Sequence, residues 1–253
     1  PNVHFADFFK TGRKDMFVSH STDMRHFDNT ATFYTNNGSN FTKVSIPTAD
    51  VWSHGSDVGD LNNDGYLDIV MSDLKSYNTT IALNNQVNGF TAYVDPLGNA
   101  GDNRYGGTAV AIGNFMNNGG NNEIILTDAQ CAVVSGTCSD SNTTKMFSVD
   151  FTGGVLTYTH EGDLPAFGTS GIDHSVEIAN HDFNEDGYAD VIVFSKKVNN
   201  GDDKLSEIQF MQNNGSGVFT DTTSTTLVGY QSNTSSTYKP RFFDINGDGK
   251  IDI

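Results

Sequence analysis

Three short stretches of this chain place oxygen-bearing side chains at alternate positions beside a glycine. They hold Asp60, Asn62, Asp64 and Asp68, then Asp182, Asn184, Asp186 and Asp190, then Asp244, Asn246, Asp248 and Asp252. Alternate side chains on a curled backbone converge, and a Ca²⁺ ion takes six to eight oxygens at about 2.3 to 2.6 Å. Tyr66, Tyr188 and Lys250 are placed to add a main-chain carbonyl each, and the glycine before each of these residues permits the bend. The spacing predicts three calcium loops of the form Asp-x-Asn-x-Asp-Gly-x-x-Asp. Three bound ions, at two charges each, would bring the formal net charge from -17 to about -11.

An EF-hand places a bidentate Glu at loop position twelve and a helix on each side. Here that position is Met71 or Val193, and the flanking runs DIVMSD and DVIVF have strand character. Five segments follow one plan of apolar strand, acidic loop and second apolar strand, beginning at Asp7, Asp60, Asn114, Asp182 and Asp244. A hairpin recurs after each of the first four, in FYTNNGSNFTKV, IALNNQVNGFTAYV, MFSVDFTGGVLTYT and FMQNNGSGVFTDT. Two strand pairs per repeat predict four-stranded units, so the fold class is all-β, with no amphipathic helix. The first and third loops carry Phe9 and Thr11, or Met116 and Asn118, at ligand positions and are predicted to hold no ion.

The acidic loops and the NNG hairpins resemble FG-GAP/VCBS repeats, which build the propellers of integrin α subunits, some lectins and many bacterial secreted proteins. The resemblance covers nearly the whole chain. It implies a single β-propeller domain over 1–253 with repeats starting near 5, 57, 110, 178 and 241, and a structural Ca²⁺ between the two innermost strands of a blade. Such propellers usually have about seven blades. Four repeats plus the start of a fifth are therefore expected to be part of a larger propeller.

A strand, loop, strand order sends the inter-repeat connections to the end opposite the calcium loops. These connections carry Trp52, His54, Arg104, Tyr105, His174, Tyr230 and Tyr238, amphipathic types suited to a binding face. The expected function is a calcium-stabilised extracellular recognition or adhesion module that binds a glycan or protein there. Alternatives are a polysaccharide lyase or hydrolase, or its accessory propeller, and a structural subunit of an extracellular, self-assembling array. No Gly-x-Ser-x-Gly, His-Glu-x-x-His or Walker pattern occurs, so no catalytic residue is assigned.

With 31 acidic residues against 14 basic ones, nucleic acid is not an expected partner. No window approaches the roughly 18 apolar residues of a membrane span, and no basic, then apolar leader opens the chain. A first residue of Pro1 fits a removed leader or a fragment, and a secreted or cell-surface location is expected. Cys131 and Cys138 suit a small disulfide-closed loop in an oxidising compartment.

Overall fold

Short runs of Val, Ile, Phe and Thr closed by Asp, Asn and Gly favour strands that pair with their sequence neighbours through tight turns. The computed structural model describes residues 2–19, 31–47, 53–73, 78–94, 109–127, 144–166, 172–199, 202–229 and 244–248. They form sixteen strands in four sheets. The first sheet holds β1 (Val3–Ala6), β2 (Asp15–Val18), β3 (Thr32–Asn36) and β4 (Phe41–Val44). The second holds β5 (Ser53–Gly59), β6 (Asp68–Asp73), β7 (Asn78–Asn84) and β8 (Phe90–Val94). The third holds β9 (Val110–Gly113), β10 (Glu123–Thr127), β11 (Thr144–Asp150) and β12 (Thr157–Asp163). The fourth holds β13 (Ile172–His181), β14 (Asp190–Asn199), β15 (Asp202–Asn213) and β16 (Phe219–Asp221).

Every sheet is an antiparallel meander in chain order, as the blades of a propeller are. The acidic loops join the first and second strands, and the four expected hairpins join the third and fourth. Two helical turns, Thr152–Gly154 and Thr223–Thr226, depart from the expectation of strands and loops alone. Both are too short to show a helical period in the sequence.

The sheets pack face to face. Strand alternation sends Ile69 and Met71 of β6 toward the first sheet, where they join Phe8, Phe17, Phe33 and Phe90 in one core. Val70, between them, faces the third sheet and packs with Leu61, Ile112, Ile124 and Phe147. Ile125 of β10 turns the other way, to Val191, Val193 and Met211 of the fourth. Because β10 is covered on both faces, EIILT is buried throughout and has no polar alternation.

The first strands run closest together, with β9 in contact with β5 and β13. A Cβ on Gly59 would lie 2.8 Å from Ile112 Cγ2, so the approach of β5 to β9 requires glycine there. Ile112 is held from both sides. Its N–H donates to Asp57 Oδ2 of β5 at 2.8 Å, and its carbonyl accepts from Asn180 Nδ2 of β13 at 2.9 Å.

Burial lifts the Asp57 carboxyl to about 6, against the pull of the Ile112 and Val58 N–H groups, and the Glu177 carboxylate adds to the rise. An unfolded Asp titrates near 3.9, so the contribution of Asp57 to stability is fully present below about pH 4 and is lost as pH rises through about 6. The expected result is a melting-temperature difference, wild type minus Asp57→Asn, that falls between about pH 4.5 and 7 in chelator. A difference constant across that interval would refute the assignment.

Candidate metal centre

The loop after β5 is shaped by its own side chains. Asp60 Oδ1 accepts the N–H of Asp64 at 3.0 Å, and Oδ2 accepts that of Gly65 at 2.7 Å. Asn62 Oδ1 also accepts from Asp64 N, at 3.1 Å, and Asp64 Oδ1 accepts from Tyr66 N at 2.8 Å. The loop after β13 repeats the arrangement. Asp182 accepts from Asp186 N at 3.0 Å and Gly187 N at 2.8 Å, and Asp186 accepts from Tyr188 N at 3.0 Å. Gly65 and Gly187 have φ of 84° and 92°, the left-handed conformation the bend demands. In the fifth repeat, Asp244 Oδ1 accepts from Gly247 N at 2.6 Å and Asp248 N at 3.1 Å.

The last carboxylate of the Asp60 loop and that of the Asp182 loop are buried. Asp68 accepts from Leu61 N at 2.9 Å and from Asn84 N, at the end of β7, at 2.8 Å. Asp190 accepts from Phe183 N at 3.1 Å and Asn213 N at 2.9 Å. Burial, with the Asp64 and Asp60 carboxylates adding repulsion, pushes Asp68 up to about 7 against those two N–H groups. Asp190 is raised by burial in the same way, with Asp186 as the repelling neighbour.

This donor set fits a hard divalent cation. In sequence each loop offers three carboxylates, an amide oxygen and a main-chain carbonyl, with no thiolate or imidazole. Among the described residues no group of three His, Cys, Asp or Glu side chains is already closed up as a metal cage. The oxygens instead hold main-chain N–H groups, with side-chain amides on Asp64 Oδ2 and Asp186 Oδ2, and a carboxylate oxygen with one donor keeps a lone pair for an ion.

The first and third loops lack the ligands but keep the frame. Asp7 accepts from Thr11 N at 2.8 Å and Gly12 N at 2.7 Å, as Asp60 does from Asp64 and Gly65. Asp15 is buried and accepts from Asn36 N at 2.8 Å. Glu123, also buried, accepts from Phe115 N at 2.7 Å and Met116 N at 3.1 Å. Ligand counting passed over Asp15 and Glu123, although an acidic residue stands at the end of every repeat loop in the sequence. The brackets from Asn84 Nδ2 to Phe8 O and from Asn213 Nδ2 to Phe115 O, both 2.8 Å, were likewise visible only as the recurring Asn-Asn pair before a hairpin.

Lys250 and Asp252, and the candidate binding residues Trp52, Arg104, Tyr105, Tyr230 and Tyr238, lie outside the described residues, as do Cys131 and Cys138. The backbones of His54 and His174 lie in β5 and β13, and their side chains are outside the description. The FG-GAP-like repeat family matches this chain over residues 3–71 and 182–253. No curated protein matches it. The segment between the two matches contains the third loop, which has lost the ligands, yet it folds as a four-stranded sheet like the others.

Asp15 tests the role of the buried carboxylate without interference from a metal, because its loop lacks the other ligands. Asp15→Ala is expected to lower the unfolding free energy by about 1–3 kcal/mol, equally with calcium and with chelator. Denaturant titration under both conditions measures this, and wild-type stability in the variant would disprove the brace.

Proposed function

Because this chain belongs to the FG-GAP-like repeat family, we propose that it is a calcium-braced extracellular recognition module, a propeller whose working face lies opposite the metal loops. Asp60, Asn62, Asp64, Tyr66 and Asp68 would hold one ion, and Asp182, Asn184, Asp186, Tyr188 and Asp190 a second. Asp244, Asn246, Asp248, Lys250 and Asp252 would hold a third. The ions would supply fixed positive charge that offsets carboxylate repulsion, and the observation that carries this part of the reading is the convergence of loop oxygens, Asp60 Oδ1 with Asn62 Oδ1 on Asp64 N and Asp182 Oδ1 with Asn184 Oδ1 on Asp186 N.

The direction of the chain supports the choice of face. All first-to-second and third-to-fourth strand connections share one end of the sheets, and those ranges are short, such as 60–67 and 85–89. The opposite end receives 19–31, 95–109 and 128–143, and long connections are where binding residues concentrate. By sequence position Trp52, Arg104, Tyr105, Tyr230 and Tyr238 fall between repeats and would belong to that end, and a Cys131–Cys138 disulfide would staple one of its loops. Among the described residues no helix is long and apolar enough to cross a membrane. The partner is a glycan or an extracellular protein.

Metal analysis is expected to give about three Ca²⁺ per chain, and a site at a hundredfold over its Kd would add about 2.7 kcal/mol to stability. An unchanged melting curve in excess chelator rejects the metal reading. On glycan and protein arrays, Trp52→Ala and Arg104→Ala are expected to abolish a binding signal that Asp186→Asn retains. The reverse pattern would move the working face to the metal end.

A further inference from the structure

The Asp60 and Asp182 loops match in sequence but differ in surroundings. Lys10, in the first loop, extends its ammonium to 4.0 Å from the centroid of the Tyr66 ring. The same nitrogen stands 2.8 Å from where a Cβ on Gly65 would be, so it lies directly on the bend of the neighbouring loop. Gln86, in the hairpin after β7, donates from Nε2 to Asp64 Oδ2 at 3.0 Å. A fixed positive charge and an extra amide donor therefore address the oxygens and the bend that would surround an ion.

Among the described residues the Asp182 loop has neither. The residue corresponding to Lys10 in the adjacent third loop is Asn117, and both sit in the left-handed region, with φ of 54° and 45°. Among the described residues nothing lies within 4 Å of a Cβ built on Gly187. Gly215 stands where Gln86 does, and the Tyr188 ring packs against it. Among the described residues the hydrogen-bond donors to Asp186 Oδ1 and Oδ2 all belong to its own loop.

We propose that Lys10 and Gln86 make the Asp60 loop a weaker, salt-sensitive calcium site than the Asp182 loop, so that the two fill in sequence. The proposal rests on the calcium reading above. The Lys10 ammonium repels an incoming divalent ion through a solvent-screened Coulomb interaction, while Gln86 joins Asn62 as a second amide donor on Asp64 Oδ2, so that one of them must turn away before that oxygen can ligate. A site so guarded fills at a higher calcium level, and its filling acts on the first loop through Lys10.

The test is calorimetric Ca²⁺ titration of two backgrounds. Asp186→Asn with Asp248→Asn isolates the Asp60 loop, and Asp64→Asn with Asp248→Asn isolates the Asp182 loop. The second background is expected to bind more tightly. Adding Lys10→Met to the first should raise affinity about 3- to 10-fold at an ionic strength of about 20 mM and less than about 2-fold at 0.5 M. Lys10→Arg should leave affinity at the unsubstituted level, Gln86→Gly should raise it, and Lys10→Met should do nothing in the second background. Equal affinities in the two backgrounds, or a Lys10→Met effect that is absent or the same in both, overturns this proposal alone. No calcium binding in either background overturns the calcium reading itself.

Discussion

A buried carboxylate at the start of the second strand takes up main-chain N–H groups of the loop, the third strand or both in each described sheet. Asp15, Asp68, Glu123 and Asp190 are each at most 2% exposed. From there Asp68 and Asp190 reach back to the loop with one oxygen and across to the end of the third strand with the other. Two main-chain N–H groups at a turn cannot be left unpaired in an apolar interior, and a short acceptor with two oxygens serves both. The charge is costly to bury, and the raised titration of all four carboxylates reflects that cost. The loop is thus tied to its sheet before any ion is considered.

The third strand passes the constraint to the neighbouring sheet. Asn84 gives its main-chain N–H to Asp68 and its side-chain amide to Phe8 of the preceding sheet's loop. Asn213 does the same between Asp190 and Phe115. Phe8 and Phe115 are both fully buried in inter-sheet cores, so the polar bracket and the apolar contact fix the same residue. The outer faces of the first and fourth described sheets differ. Ile192, Phe194 and Phe210 on the far face of the fourth sheet are buried with Phe183 and Leu227 against them, while Val3, Phe5 and Phe41 of the first sheet are exposed.

Much of this was legible in the residues. The recurring loops located the first-to-second strand turns, the NNG patterns located the hairpins, and four strands per repeat followed. The same reading treated the end-of-loop acid as one ligand among several, because spacing alone does not distinguish an oxygen facing a cation from one facing an amide. Lys10 was invisible for a different reason. Its partner, Tyr66, lies in the loop of the next repeat, and a lysine in a degenerate loop has no local pattern to mark it. Asp57 was passed over because its partner N–H belongs to Ile112, on a strand from the next repeat.

The first loop adopts the turn of the second, with Asp7 standing in for Asp60 and Thr11 for Asp64. The turn therefore does not need oxygen ligands at the third loop position or a carboxylate at the fifth. Substituting those two positions would alter what a loop could chelate while leaving the bend and the sheet behind it in place, so a count of intact motifs understates the number of repeats in the fold.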